Sequence, residues 1–192
     1  MNFTLETYIR DISICNSLID FFHNSEFSKI HRRPGVTCVG PDEGKKSTDL
    51  TVFNSDLQNF PIIAEYVEQL TDCANEYIRK FPYCNAYGPW GLVGGFNIQW
   101  YKPGEGFCNW HTERCNADYP SNNRHLVWMT YLNDVEEGGG TEFYHQKHTV
   151  QARKGKTLIW PSDWTYTHRG EVAPNEHKYI ITGWFNYIPA GD

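Results

Sequence analysis

A chain of 192 residues is long enough to bury a core of its own and is expected to form one domain. Its composition, 40% hydrophobic and 21% charged, is that of a globular protein, and the 16% aromatic share leans toward strands and a ligand-lined interior. A formal net charge of -6 disfavours a nucleic-acid partner, and no apolar run reaches the ~18 residues of a membrane span.

The N-terminus, Met1 to Thr7, has neither the cationic start nor the apolar stretch of a signal peptide, so the expected location is cytoplasmic. The six cysteines, with no Cys-x-x-Cys among them, read as reduced thiols. Two basic clusters, His31-Arg32-Arg33 and Lys45-Lys46, read as solvated loop.

Residues 12 to 23 repeat apolar side chains at helical spacing, with Ile12, Cys15, Ile19 and Phe22 on one stripe and Asp11 or Ser13 as cap. From Ser25 to Thr51 the turn signals Pro34-Gly35, Gly40-Pro41 and Gly44-Lys45-Lys46 surround short strands expected at 36–39 and 50–53. That excursion is either a lid over a site or plain surface loop. The clearest helix follows, capped by Asn59 or Asp56 and with Pro61 in its first turn. Ile63, Tyr66, Val67, Leu70, Ala74, Tyr77, Ile78 and Phe81 recur at steps of three and four, a core stripe expected to brace the outer face of a sheet.

From Leu92 the period changes to two. Asn97, Gln99 and Tyr101 share one face against Phe96, Ile98 and Trp100; Val127, Met129 and Tyr131 oppose Leu126, Trp128 and Thr130; Lys178, Ile180, Thr182 and Trp184 oppose Tyr179, Ile181, Gly183 and Phe185. Shorter strands are expected at 141–145, 149–153 and 157–160. About eight strands separated by turns suit a mainly β fold with flanking helices, a double-stranded β-helix or jelly-roll barrel braced by N-terminal helices. Residues 1–192 are then one domain, with helices and lid over 1–90 and the barrel over 91–192.

The stretch that carries chemistry ends in Trp110-His111-Thr112-Glu113. In extended backbone His111 and Glu113 project to one side and can share a metal ion. A third donor, His168, opens a later strand, and Lys178 follows ten residues on. Two imidazoles and one carboxylate with open positions opposite are the pattern of a mononuclear non-haem iron site. Of the remaining candidates, Arg169 competes with Lys178 as anion partner, and Arg114 steers substrate or is solvated. His145, His148 and His177 read as surface or core histidines, and Cys108 and Cys115 as oxidisable neighbours of the site.

The run from Gly94 to Tyr187 resembles the catalytic domain of the iron(II)- and 2-oxoglutarate-dependent dioxygenases, most nearly their prolyl 4-hydroxylase-like branch. The resemblance rests on ordered motifs: Tyr101-Lys102-Pro103-Gly104; His111 and Glu113; Tyr131-Leu132-Asn133; Glu137-Gly138-Gly139-Gly140-Thr141-Glu142-Phe143; Gly155-Lys156 leading into Trp160-Pro161; and His168 with Lys178. It implies Fe(II) held by His111, Glu113 and His168, and a 2-oxoglutarate whose far carboxylate pairs with Lys178 and bonds Tyr131. Tyr101, Thr141 and Trp184 line the pocket on this reading.

The implied cofactors are Fe(II), 2-oxoglutarate and O2, with ascorbate as relatives use it. The implied reaction decarboxylates 2-oxoglutarate to succinate and hydroxylates a C–H bond, of a prolyl or similar residue in a protein or peptide. A free amino acid or other small molecule is the alternative substrate, and an inactive metal-binding barrel is the alternative outside the enzymes. The family carries aspartate where this chain has Glu113, and the extra methylene moves the carboxylate by about 1.5 Å.

Overall fold

The alternation read from residues 92–187 is realised as two antiparallel sheets that face each other, described by a computed structural model over residues 2–37 and 43–188. In chain order the elements are β1 (Leu5–Tyr8), α1 (Ile14–Asn24), α2 (Glu26–His31), β2 (Arg33–Pro34), β3 (Thr48–Phe53), α3 (Pro61–Lys80), β4 (Trp90–Leu92), β5 (Gly95–Tyr101), β6 (Arg124–Tyr131), β7 (Thr141–Phe143), β8 (His148–Val150), β9 (Lys156–Pro161), β10 (His168–Gly170) and β11 (Lys178–Tyr187). The larger sheet runs β1-β9-β6-β11-β5-β3-β2 with β4 beside β11, and the smaller runs β10-β7-β8. This is the jelly roll that the strand periodicity implied.

Alternation sends each central strand's side chains to two different cores. Phe96, Ile98, Leu126, Trp128, Ile181 and Phe185 face the helices and pack with Leu18, Phe22, Ile63, Tyr66 and Leu70 of α1 and α3. Tyr101, Val127, Met129, Tyr131 and Ile180 face the other way and meet Phe143, Val150 and Tyr166 between the sheets. Each large side chain removed from water in these clusters contributes ~1.5–3 kcal/mol. Helices on one face leave the barrel interior as the place for a site.

Several expectations shift in detail, each for a physical reason. Ile12 lies before α1 and is half exposed, while Ile14, Cys15, Leu18 and Phe22 form the buried stripe. Ser13 occupies the N-cap without a side-chain bond, and Asp11 Oδ1 instead accepts the Ser13 N–H. The expected caps of α3 are displaced as well. Phe60 holds the cap position, and Asp56 accepts the Phe53 N–H at the 3-10 turn before it.

A helix was not expected between residues 25 and 31, yet Ser25 caps α2 by accepting the Ser28 N–H at 3.1 Å. The strand expected over 36–39 is not found at Val36; 38 and 39 lie outside the described residues, and the short pairing strand is Arg33–Pro34 instead. The Gly40-Pro41 turn also lies outside them. At the other edge β1, also unexpected, pairs with β9 from Leu5↔Ile159 to Tyr8↔Lys156.

Candidate active site

His111 and Glu113 sit on an irregular segment rather than in a regular strand, and two backbone bonds bring them to the third donor. The His111 N–H donates to the His168 carbonyl at 3.0 Å and the His168 N–H to the His111 carbonyl at 2.9 Å. On the far side Thr112 Oγ1 and the Arg114 N–H both donate to the Ser162 carbonyl, at 2.9 and 3.0 Å. The segment is therefore pinned between β9 and β10, with residues 111 and 113 turned inward and 112 outward.

The three side chains converge. Glu113 Oε1 lies 3.6 Å from His111 Nε2 and 3.5 Å from His168 Nε2, and one donor atom from each residue falls within 4.8 Å of the others. Each imidazole uses Nδ1 on a carbonyl, His111 on Asn109 at 2.8 Å and His168 on Tyr166 at 2.9 Å. A carbonyl only accepts, so both Nδ1 atoms carry the proton and both Nε2 lone pairs face the common point. Burial lowers the His168 pKa, with the neighbouring imidazole adding to it against the pull of Glu113, so the ring is neutral. Burial alone would raise the Glu113 carboxyl, but the two imidazoles, which attract it whenever they carry a proton on Nε2, hold it well below the usual carboxylate range. Two imidazoles and one carboxylate form a donor set that fits a ferrous ion.

The added length of Glu113 is taken up on its second oxygen. Trp184 Nε1 donates to Oε2 at 3.0 Å and Arg124 Nη1 approaches it at 3.4 Å, while the Arg124 guanidinium lies 3.6 Å above the Trp184 ring. Arg124 also donates to the Glu113 carbonyl at 2.6 Å. Strand alternation had put Arg124 on the helix-facing side of β6. The register shift where Phe185 pairs Leu126 and Asn186 pairs Arg124 reverses that phase, so no period-two reading finds it.

The cavity in front of the triad has a volume of about 670 Å³. Lys178 lines it from β11 and is 5% exposed, and its ammonium makes no hydrogen bond or ion pair to any described residue. Burial draws its pKa down to about 8, with Glu171 opposing. Its ammonium rests 5.5 Å from the Tyr101 ring centre and 5.6 Å from that of Tyr131. Such a buried cation calls for an anion.

Thr141 and Trp184 line the same cavity, as does Tyr101, whose hydroxyl donates to Gln99 Oε1 at 2.7 Å. Tyr131 stands beside Lys178 but does not line the cavity. Its hydroxyl is bonded to Thr141 Oγ1 at 2.6 Å and to the Val150 carbonyl at 3.3 Å. From the 25–51 excursion Val36, Thr37 and Lys45 reach the cavity wall.

Of the remaining candidates, all but Cys115 fall outside the cavity lining. Arg169 pairs with Glu142 at 2.8 Å, and Arg114 with Asp163. His148 meets Glu6 at 2.8 Å, His177 accepts from Trp100 Nε1 at 3.1 Å, and His145 packs beside Trp164. Cys108 and Cys115 are exposed, and Cys115 reaches the cavity wall. Among the described residues, His111, Glu113 and His168 are the one group of such donors close enough to hold a metal.

The model of the 2OG-Fe(II) oxygenase superfamily matches residues 96–186. Among solved structures the chain is similar to a prolyl-4-hydroxylase from Pseudomonas putida, at 13% identity and a TM-score of 0.71 over 98% of this chain and 95% of that one. It is similar to a viral collagen prolyl hydroxylase from Paramecium Bursaria Chlorella virus-1 in complex with 2OG, at 16% identity and a TM-score of 0.67 over 97% of each chain. A third is a Trichoplax adhaerens prolyl hydroxylase in complex with a hypoxia inducible factor oxygen degradation domain peptide, at 17% identity and a TM-score of 0.72 over 97% and 84%. No curated protein sequence matches the chain significantly.

Proposed function

We propose that the chain, whose residues 96–186 match the model of the 2OG-Fe(II) oxygenase superfamily, hydroxylates a prolyl or similar residue of a polypeptide and holds Fe(II) through His111, Glu113 and His168. The observation that carries this reading is one cavity shared by three converging metal donors and a buried ammonium that has no partner among the described residues. Iron(II) and 2-oxoglutarate, when bound, supply the oxidising power, with 2-oxoglutarate and O2 consumed and succinate and CO2 released as C–H becomes C–OH.

The chain's own residues bind, orient and exclude. Lys178 holds the cosubstrate's remote carboxylate by a charge-assisted bond, and the Tyr101 and Tyr131 rings keep water from that ammonium. Thr141, fixed by its bond to Tyr131, offers the same carboxylate a hydroxyl. Asn109 and Tyr166 hold both imidazoles in one tautomer, while Trp184 and Arg124 hold the carboxylate. Relatives of the same fold are prolyl hydroxylases, and one of them is seen with a bound peptide, which supports a polypeptide substrate here.

The test is turnover of 2-oxoglutarate to succinate with Fe(II) and air, alone and with proline-containing peptides or free proline. Succinate without any prime substrate, stimulated by peptide with gain of one oxygen on it, is the expected result. Stimulation by free proline alone would move the substrate to small molecules. No succinate under any condition would make the chain a metal-binding barrel without oxidative activity.

A further inference from the structure

Exposed aromatic side chains rarely form a continuous row on a protein that does not use them. Here one begins at the cavity wall. Trp110, adjacent to His111, lines the cavity and is 37% exposed; its ring centre lies 5.1 Å from Tyr144, which is 57% exposed. Tyr144 lies 5.1 Å from His145, and His145 lies 5.6 Å from Trp164, which is 65% exposed. The rings meet edge to face at each step, so their faces turn in different directions along one strip.

The connecting segments that carry the strip are tied to the metal donors by strand pairing and hydrogen bonds. Tyr144 and His145 occupy the turn between β7 and β8, and β7 pairs with β10 at Phe143↔His168. The Tyr144 N–H donates to the Thr167 carbonyl at 2.9 Å, and Gln146 Nε2 to the Thr165 carbonyl at 3.0 Å. At the inner end Arg169 lies 4.4 Å over the Trp110 ring and is itself held by Glu142. Neither the hydroxylation chemistry nor the fold requires these rings to be exposed.

We propose that Trp110, Tyr144, His145 and Trp164 form a docking strip for an extended, proline-bearing polypeptide segment that flanks the residue being hydroxylated. This rests on the polypeptide reading given above and deepens it. Flat aromatic faces suit pyrrolidine rings and the preformed polyproline II backbone, which loses little entropy on binding. Laid end to end, the three ring-to-ring steps reach at most what about five residues of that helix cover at ~3.1 Å each. Continuity with the cavity at Trp110 delivers such a segment to the metal donors, and a chain of net charge -6 gives a nucleic-acid strand little reason to stack there.

The experiment compares wild type with the double variant Tyr144→Ala/Trp164→Ala, whose side chains are both largely exposed. The probes are a decameric polyproline and a proline-containing tripeptide too short to reach the outer rings. Tryptophan fluorescence reads binding, and hydroxylation reads KM. The expected result is a KM and dissociation constant about tenfold higher for the decamer. The tripeptide KM and the uncoupled turnover of 2-oxoglutarate stay unchanged.

An equal change for both peptides, or none for the decamer, would overturn the strip while leaving the hydroxylase reading intact. Decamer binding that is lost in the variant, without any hydroxylation by wild type, would retain the strip and overturn the prolyl assignment. A wild type that binds neither peptide overturns both. A wild-type dimer that the double variant dissociates would show the strip to be a contact between copies of the chain.

Discussion

Trp184 donates its indole N–H to Glu113 Oε2 at 3.0 Å, which leaves Oε1 facing the two imidazoles. One carboxylate thus has its oxygens assigned to different tasks. Outer partners of a metal-holding carboxylate fix its orientation, and their loss lowers metal affinity by roughly 10–100-fold. Trp184→Phe keeps the ring beneath Arg124 but removes the donor. The expected outcome is an Fe(II) affinity about tenfold weaker, measured by metal titration, with the melting temperature little changed.

Glu113→Asp tests whether the length of the acid matters here. The shorter side chain withdraws the carboxylate by about 1.5 Å, so it cannot reach both the imidazole pair and the Trp184 N–H. Metal binding in this variant is expected to weaken despite the unchanged charge. Combined with Trp184→Phe, the two losses should be less than additive, because both break the same contact. An affinity for Fe(II) equal to or above wild type would show that the chain is not adapted to glutamate.

Lys178→Ala removes the buried charge proposed to face the cosubstrate's far carboxylate. A hydrogen bond to a charged group contributes ~1.5–3 kcal/mol, so the KM for 2-oxoglutarate should rise by about one to two orders of magnitude. Succinate production at saturating cosubstrate and Fe(II) affinity should both persist. An unchanged KM would sink the assignment of Lys178.

The same residue predicts a pH dependence. In the free protein burial brings the Lys178 pKa down to about 8, so the ammonium that binds carboxylate is fully present below that pH and is lost as pH rises through it. Affinity for 2-oxoglutarate should therefore fall above about pH 8, by up to about tenfold per pH unit. Lys178→Arg, with a guanidinium charged throughout, should flatten the profile. Isothermal titration with 2-oxoglutarate at a series of pH values checks both.

Gly183 lies on β11 between Thr182 and Trp184, where a Cβ would sit 2.6 Å from Phe96 Cβ and 2.6 Å from Trp128 Cζ2. Both neighbours are fully buried in the core under α3 and cannot retreat. Gly183→Ala should cost ~1–3 kcal/mol, read as a lowered denaturation midpoint. Because the strain bears on the strand that carries Lys178 and Trp184, the KM for 2-oxoglutarate should rise with it.

The period-two runs at 96–101, 126–131 and 178–185 determined by themselves which side chains face the helices and which the barrel interior, since alternation is local geometry. Lys178, Tyr101 and Trp184 were legible for that reason, as was the helix over Pro61–Lys80 from its apolar spacing. Arg124 was not, because a register shift set by pairing with β11 reversed the phase that its own strand announced. Tyr131 lay on the expected face, yet Thr141 and the Val150 carbonyl took its hydroxyl, partners from strands distant in sequence. The meeting of His111 with His168, 3.0 and 2.9 Å apart across two backbone bonds, was likewise decided only by the closing of the two sheets. Local periodicity fixes the side of a strand, while the hydrogen-bond partners of a buried group depend on what the tertiary fold sets opposite it.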